Sequence, residues 1–563
     1  MFFMILYENK KSFVVPYFEG VSAMKFYEDR FKKTKERDFC FWLLFPFFWV
    51  NRRKKTLTLR AILRCRSKNP VALSDFVLKI GEVEHWLGIK TPFYDIHTPK
   101  EKHTAIIKIV IYRSDLKKLK KHNLVCLCKK HYNSILYNGL NNSYKRRHSP
   151  LLRDRKNGNI AYFRQSINGK LVVTVRKEME VDKLSCKVRE VLGYLFAKPI
   201  SLFERKRPIL MYEKYGRYEE GASILYEKLI DEGYKKIYFA ADVNMLPSGY
   251  NEKYRKHILP FFGFKHYFIF FRARTYISTE QISRAVEIDS PSFLMWKHCR
   301  IGDDKITHVH LQHGVSYMIS MASSSRSAAR KSTKVPFYSQ IYVVSSKKEG
   351  QYFIDCGDYD WEDLYVTGMP KFDRAVLNEG ADKIVIMPTW RPWEENLALN
   401  NPKKTTYYKL IKRIQRLIPE ELADKVFILP HPLFNIAFRY RGSKAAKVNY
   451  NEILKDTKLL ITDYSSISYD AFYRGSNVVF VWTELKKCLK NYGENSALLL
   501  SEDDAFGDIC YTDDELKEAI VKGYYGEQDQ KYIDNYRTIV EFHDNRNCER
   551  VIESLERDKL IYR

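Results

Sequence analysis

The stretch Leu459-Leu460-Ile461-Thr462-Asp463-Tyr464-Ser465-Ser466-Ile467-Ser468-Tyr469-Asp470 (residues 459–470) decides the fold. An apolar run of strand length stops at a polar cluster and passes directly into a helical pattern reaching Arg474. A strand that feeds straight into a helix is the unit of a parallel sheet covered on both faces. The same pattern recurs on either side. Downstream of residue 360, strands are expected at Leu364–Thr367, Ile384–Met387, Val426–Leu429, Leu459–Thr462 and Val478–Trp482, with helices at Tyr407–Leu417 and Ser466–Arg474. Upstream, strands are expected at Ile209–Tyr212, Lys236–Ala240, Tyr267–Phe271, His308–Leu311 and Gln340–Val344. Between them lies a helix at Ala222–Glu232, ended by Gly233 as a C-cap, and another helix is expected at Lys183–Phe196. The reading is α/β, with two Rossmann-like domains over 181–360 and 361–563 facing a cleft.

Before residue 181 the pattern changes. Ala105–Tyr112, Ile160–Gln165 and Leu171–Val175 read as strands, and Ser166-Ile167-Asn168-Gly169 reads as the turn of a hairpin. A small β-rich accessory domain is expected over 71–180. Residues 1–70 read as irregular, basic and aromatic. Within them Phe39–Val50 is apolar over 12 residues, broken by Pro46, and flanked by Lys32, Lys33, Lys35 and Arg37 on one side and Arg52, Arg53, Lys54 and Lys55 on the other. That is too short to span a bilayer. It suits contact with an anionic lipid surface, the favoured reading, or a buried hairpin.

The chain has 563 residues and a formal charge of +28, from 96 Lys and Arg against 68 Asp and Glu. Such a surface attracts nucleic acid, an anionic membrane or a phosphate-rich substrate. No RNA-stacking or recognition-helix signature accompanies it, so nucleic acid is not the expected partner. The ten cysteines lack a dense spacing, which fits a reduced, intracellular protein. Cys126, Cys128 and His131 lie close, but no second pair completes a zinc set, so no metal is expected. No P-loop, dinucleotide fingerprint, Asp-x-Asp at a strand end or His-Glu-x-x-His is present, and no cofactor is expected.

Five polar segments follow five expected strands: His313-Gly314, Gly368-Met369-Pro370-Lys371, Pro388-Thr389-Trp390-Arg391, Pro430-His431-Pro432 and Asp463-Tyr464-Ser465-Ser466. Ligands of open parallel sheets bind at this edge. A helix starting near Ser466 offers unpaired amides and two hydroxyls to a phosphate, or is simply a capped helix. Asp470, one turn on, suits sugar or polyol hydroxyls. His313 and His431, each in a stiff loop, suit a general base or a cation beside phosphate, although a strand-end histidine is often structural. Lys371 and Arg391 suit diphosphate oxygens, or form surface salt bridges.

In order, Leu-Gln-His-Gly at 311–314, Thr-Gly-Met-Pro-Lys-Phe-Asp at 367–373, Met-Pro-Thr-Trp-Arg at 387–391, Pro-His-Pro at 430–432 and Thr-Asp-Tyr-Ser-Ser-Ile-Ser-Tyr-Asp at 462–470 resemble the CDP-glycerol glycerophosphotransferase family of teichoic acid polymerases and primases. Tyr212-Glu213-Lys214-Tyr215-Gly216 resembles its first strand and loop. The resemblance covers about residues 185–530. It implies a GT-B-type fold and a peripheral place on the cytoplasmic face of a bacterial membrane. It implies transfer of glycerol phosphate from CDP-glycerol, or a related CDP-polyol, to a lipid-linked (undecaprenyl-type) acceptor with release of CMP. It places functional positions at His313, Gly314, Val315, Ser316, Tyr317, Lys371, Pro388, Thr389, Leu429, Pro430, His431, Ser465, Ser466 and Asp470. The chain departs from the family pattern at Gln312, Val315-Ser316, Met318 and Lys371, which leaves the acceptor open and the product open among glycerol phosphate, ribitol phosphate and capsule-type sugar–polyol phosphate polymers. A glycosyltransferase using a nucleotide sugar is the alternative.

Overall fold

A computed structural model provides the coordinates. It describes the chain except residues 1, 9–10, 18–38, 68–75, 86, 93–101, 120–121, 129–131, 138–149, 166–170, 247–249, 286–293, 295–297, 299–305, 324–329, 332–338, 395–396, 399–400 and 431–449. His131, His431, Pro432 and the basic cluster Lys32–Arg37 therefore lie outside the described residues. The chain divides into two units: one of residues 1–187 with 287–293, the other of 188–286 with 294–563.

The first unit is built on an eleven-stranded, mostly antiparallel sheet. Its strands share one core, in which Phe41, Leu59 and Ile109 meet Phe163 and Val173. The expected hairpin is present: Asn159–Gln165 pairs antiparallel with Leu171–Lys177. The irregular reading of residues 1–70 is corrected. Phe39–Asn51 and Thr56–Ser67 are the two long strands of an antiparallel hairpin, with Arg52–Lys55 in its exposed turn. Alternation points Phe41 and Leu43 into the core, and a register shift between Leu44 and Phe47 reverses the faces beyond it, leaving Phe47 65% exposed. For its inward face, the buried-hairpin reading of this segment holds.

The second unit carries two parallel sheets. The first has seven strands: Ile209–Tyr212, Ile237–Ala241, Ile258–Pro260, Thr275–Ser278, Thr307–His310, Ser339–Val344 and Leu364–Val366. Numbered within this sheet by chain order, they lie side by side as 3-2-1-4-5-6-7. The second has five strands: Lys383–Ile386, Val426–Ile428, Thr457–Thr462, Asn477–Val481 and Asp508–Cys510. These lie in the order 2-1-3-4-5. Both orders reverse direction beside their own first strand, and that crevice is where doubly wound sheets bind ligands.

One expected strand is a helix. Tyr267–Phe271 falls inside the helix Phe264–Arg272, which starts at Gly263. His266, Tyr267, Ile269, Phe270 and Phe271 are all buried, so no polar face betrays the helical period. The true fourth strand, Thr275–Ser278, follows it. His266 stacks between Phe261 and Tyr267, and its Nδ1 accepts the amide of Phe262. Burial pushes this imidazole down to about 4. A depressed histidine contributes stability that is full above its unfolded value of about 6.5 and fades as pH falls through 4. Denaturant midpoints measured at pH 7.5 and pH 5 should therefore fall on acidification, and a His266→Phe variant should lose less over the same interval.

The last helix, Asn547–Arg557, returns to the first sheet. Its Cys548, Val551, Ile552 and Leu555 share a core with Ile209, Leu225 and Val343. Asp373 holds its start, accepting the amides of Asn547 and Cys548 at 2.9 and 2.7 Å. Gly368, at φ +75°, lies so close to Asn547 that a Cβ would fall 1.8 Å from its side-chain oxygen.

Candidate active site

The chain leaves the fifth strand of the first sheet at His310. Gln312 takes a left-handed conformation, φ +56°, and the loop turns sharply. Beyond the turn, Val315, Met318 and Ile319 enter the core of the second sheet beside Val385, Leu460 and Tyr469. Ile319 pairs with Leu498, and Ser320 donates its amide to Ala497. The loop is thus fastened at both ends, and His313 stands on it exposed.

A buried carboxylate sets the loop's shape. Glu349, fully buried, accepts the Ser316 amide at 2.6 Å on one oxygen and the Ser345 amide at 2.6 Å on the other. The Gln312 side chain reaches the same carboxylate at 3.4 Å and donates to the Val343 carbonyl at 2.8 Å. Gln312 also accepts the Ser316 hydroxyl.

His313 Nδ1 lies 3.3 Å from the carbonyl of Thr279, at the end of the fourth strand. With Nδ1–H donating there, Nε2 keeps its lone pair. Beside Thr279, Glu280 pairs with Lys214 at 3.2 Å and Arg284 at 3.6 Å. These three charged groups border the crevice of the first sheet. Sequence reading missed Glu280 because the four-residue strand before it has no alternation to reveal it.

The second sheet brings its own crevice to the same place. Asp463 follows the third strand and Thr389 the first. The Thr389 amide and hydroxyl donate to Asp463 Oδ1 at 2.7 and 2.6 Å, and the Tyr464 amide joins them at 2.7 Å. Burial pushes the Asp463 carboxyl up, against the pull of Thr389 and Arg391. Its other oxygen is buried with no partner among the described residues. Ser465 and Ser466, both half-buried, open the helix Ile467–Arg474. No side chain caps that start, while the amides of Ser468 and Tyr469 donate to the carbonyls of Ser465 and Ser466, each at 3.2 Å.

Three further contacts join the halves around His313. An added Cβ on Gly314 would lie 2.8 Å from the Ser466 hydroxyl, so the Gly314 backbone lies directly against the Ser466 side chain. Lys371 Nζ donates to the carbonyl of His313 at 2.9 Å and pairs with Asp470 at 2.5 Å. Tyr469 donates its hydroxyl to the carbonyl of Tyr317. His313, Gly314, Lys371, Ser466 and Asp470 are therefore neighbours.

The remaining expected positions differ in kind. Val315 and Leu429 are core residues, the latter donating its amide to Ile386. Pro388 is buried, and Pro430 half-buried at the edge of His431, which lies outside the described residues. Arg391, expected as a charge facing diphosphate, is turned inward and 1% exposed. Its guanidinium pairs with Glu484 at 2.6 Å and donates to Thr406, so it braces the Thr389 loop from behind. Asp470, expected to take polyol hydroxyls, is engaged by Lys371.

The family described as CDP-Glycerol:Poly(glycerophosphate) glycerophosphotransferase matches residues 196–557. The minor teichoic acid biosynthesis protein GgaB of Bacillus subtilis (strain 168) is 24% identical over 386 residues, which is 63% of this chain and 40% of GgaB. The chain thus spans less than half the length of that relative. Among solved structures, the wall teichoic acid polymerase TagF aligns with a TM-score of 0.46 and 14% identity, over 68% of this chain and 98% of TagF. The matched residues contain both parallel sheets and the contacts described between them, and the chain belongs to the CDP-glycerol:poly(glycerophosphate) glycerophosphotransferase family.

Proposed function

We propose that the two parallel sheets are a GT-B-type pair that transfers glycerol phosphate, or a related polyol phosphate, from a CDP-alcohol to the hydroxyl end of a lipid-linked acceptor. The acceptor oxygen attacks the β-phosphorus of the donor. The bond from that phosphorus to the bridging oxygen breaks, and CMP leaves with the electron pair. The acceptor proton passes to His313 Nε2, the nitrogen that the Thr279 contact leaves unprotonated. Charge growing on the departing phosphate meets the amides of Ser465 and Ser466 and the Lys371 ammonium. The resemblance also assigns His431 a catalytic place, as the second cation or as the base. The enzyme works at the cytoplasmic face of a bacterial membrane, bound to its anionic surface.

One observation carries this reading: the loop bearing His313 touches the helix start at Ser466, and Lys371 ties the two together. A base and an anion site are useful to a diphosphate ester only when they are adjacent. The test is a donor panel. Purified protein with a hydroxyl-terminated lipid acceptor should release CMP from CDP-glycerol or CDP-ribitol, and no UDP or GDP from nucleotide sugars. Release of UDP or GDP alone would assign the chain to sugar transfer and overturn the reading.

A further inference from the structure

The first parallel sheet keeps a carboxyl group of its own beside its first strand. Glu213 directly follows the strand Ile209–Tyr212 and is fully buried. Its Oε2 accepts the amides of Glu219 and Glu220 at 2.8 and 2.9 Å, and its Oε1 accepts the amide of Ser223 at 2.8 Å. Those amides belong to the entry and first turn of the helix Gly221–Asp231. In doubly wound sheets this is where a helix start takes a phosphate, between the first strand and the helix after it. Here a side chain of the protein stands in that place. Burial, with Glu220 beside it, pushes the carboxyl up, while the three amides pull it down.

The filled cradle borders the site already described. An added Cβ on Gly221 would lie 3.2 Å from the backbone nitrogen of Lys371, so this helix start lies against the segment whose side chain reaches the His313 carbonyl. The entry loop is held from two sides. The Asp242 amide donates to the Gly216 carbonyl at 2.8 Å, and the Asn451 side chain donates to the Glu219 carbonyl. The helix start beside Gly314 is built the other way, since no side chain caps Ile467–Arg474.

We propose that Glu213 is a specificity-determining residue: it occupies the phosphate cradle of the first sheet, bars phosphate groups from that edge, and leaves the Ser465–Ser466 edge as the place of the donor diphosphate. Two open cradles this close to Lys371 would let a diphosphate settle on either sheet. The transfer needs it on one side of His313 and the acceptor hydroxyl on the other. The carboxyl fills the space whether charged or neutral, and when charged it also repels phosphate. The inference rests on the proposed placing of the donor diphosphate at Ser465–Ser466 and adds what keeps it there.

Inorganic phosphate is the probe, and thermal unfolding of the full chain is the readout. Glu213→Ala clears the cradle, so phosphate should raise its unfolding midpoint by about 2–4 °C more than that of wild type, and chloride at equal ionic strength should give no such excess. Wild type is the baseline because both proteins keep the Ser465–Ser466 edge. Glu213→Gln refills the space and should follow wild type. None of these readings uses a CDP-alcohol, so a donor panel that fails and a phosphate excess that fails are separate results. Equal phosphate responses from Glu213→Ala and wild type overturn the proposal, as does an excess shared by Glu213→Gln. A Glu213→Ala chain recovered folded only from phosphate supports it. One that misfolds in phosphate as completely as in chloride overturns it, since phosphate then does not replace the carboxyl.

Discussion

Replacing His313 by alanine should lower CMP release from the CDP-alcohol by about 10²–10⁴-fold, the usual contribution of a positioned acid or base. The fold should hardly notice. His313 is exposed, and its one described side-chain partner is the Thr279 carbonyl. Its backbone, which carries the Lys371 contact, is untouched by the substitution. Unfolding free energy should therefore stay within about 0.5 kcal/mol of wild type. Steady-state CMP release and a urea titration, run on the same preparation, measure both. Normal turnover by the folded variant removes His313 from the chemistry and leaves His431 as the base.

The second large effect is expected at a residue that touches no substrate. Glu349→Ala should lower stability by about 3–9 kcal/mol, because two amides and a hydroxyl lose their acceptor together, at about 1–3 kcal/mol each. That is a large share of the roughly 5–15 kcal/mol that holds a domain folded. Activity should fall too, since Ser316 and Gln312 lose the anchor that shapes the His313 loop. Glu349→Gln keeps the shape but turns a donor toward donors, and should fall between the two. A Glu349→Ala protein with a wild-type urea midpoint would show that water replaces the carboxylate and that the loop needs no such anchor.

The strands that carry the polar loops were legible because each is a short apolar run stopped abruptly by Gly, Pro, His or Asp. Leu459–Thr462 and Thr307–His310 lie within a residue or two of where their patterns place them. Sequence misled where burial erased the period. Phe264–Arg272 is apolar on nearly every side, so nothing in it separates a helix from a strand. The strand Asp508–Cys510, three residues long, has no room for a pattern. At the site, residue type was readable and orientation was not. Arg391 and Lys371 look alike as isolated cations. Only packing sends one inward to Glu484 and leaves the other between His313 and Asp470. Glu349 was invisible for a related reason: a glutamate in the first turn of a helix reads as solvated, and its burial comes from chain brought in from residues 312–316.

The return of the Asn547–Arg557 helix to the first sheet sets an order of assembly. A ribosome delivers Ile209–Val366 long before residue 547 exists. Throughout that interval Leu225, Leu229 and Tyr365 lack the cover that Val551 and Leu555 later provide. The nascent chain thus waits with its earliest parallel sheet half-clothed, and chaperones have their longest opportunity there. Ending translation before residue 547 leaves the oldest part of this unit unfinished.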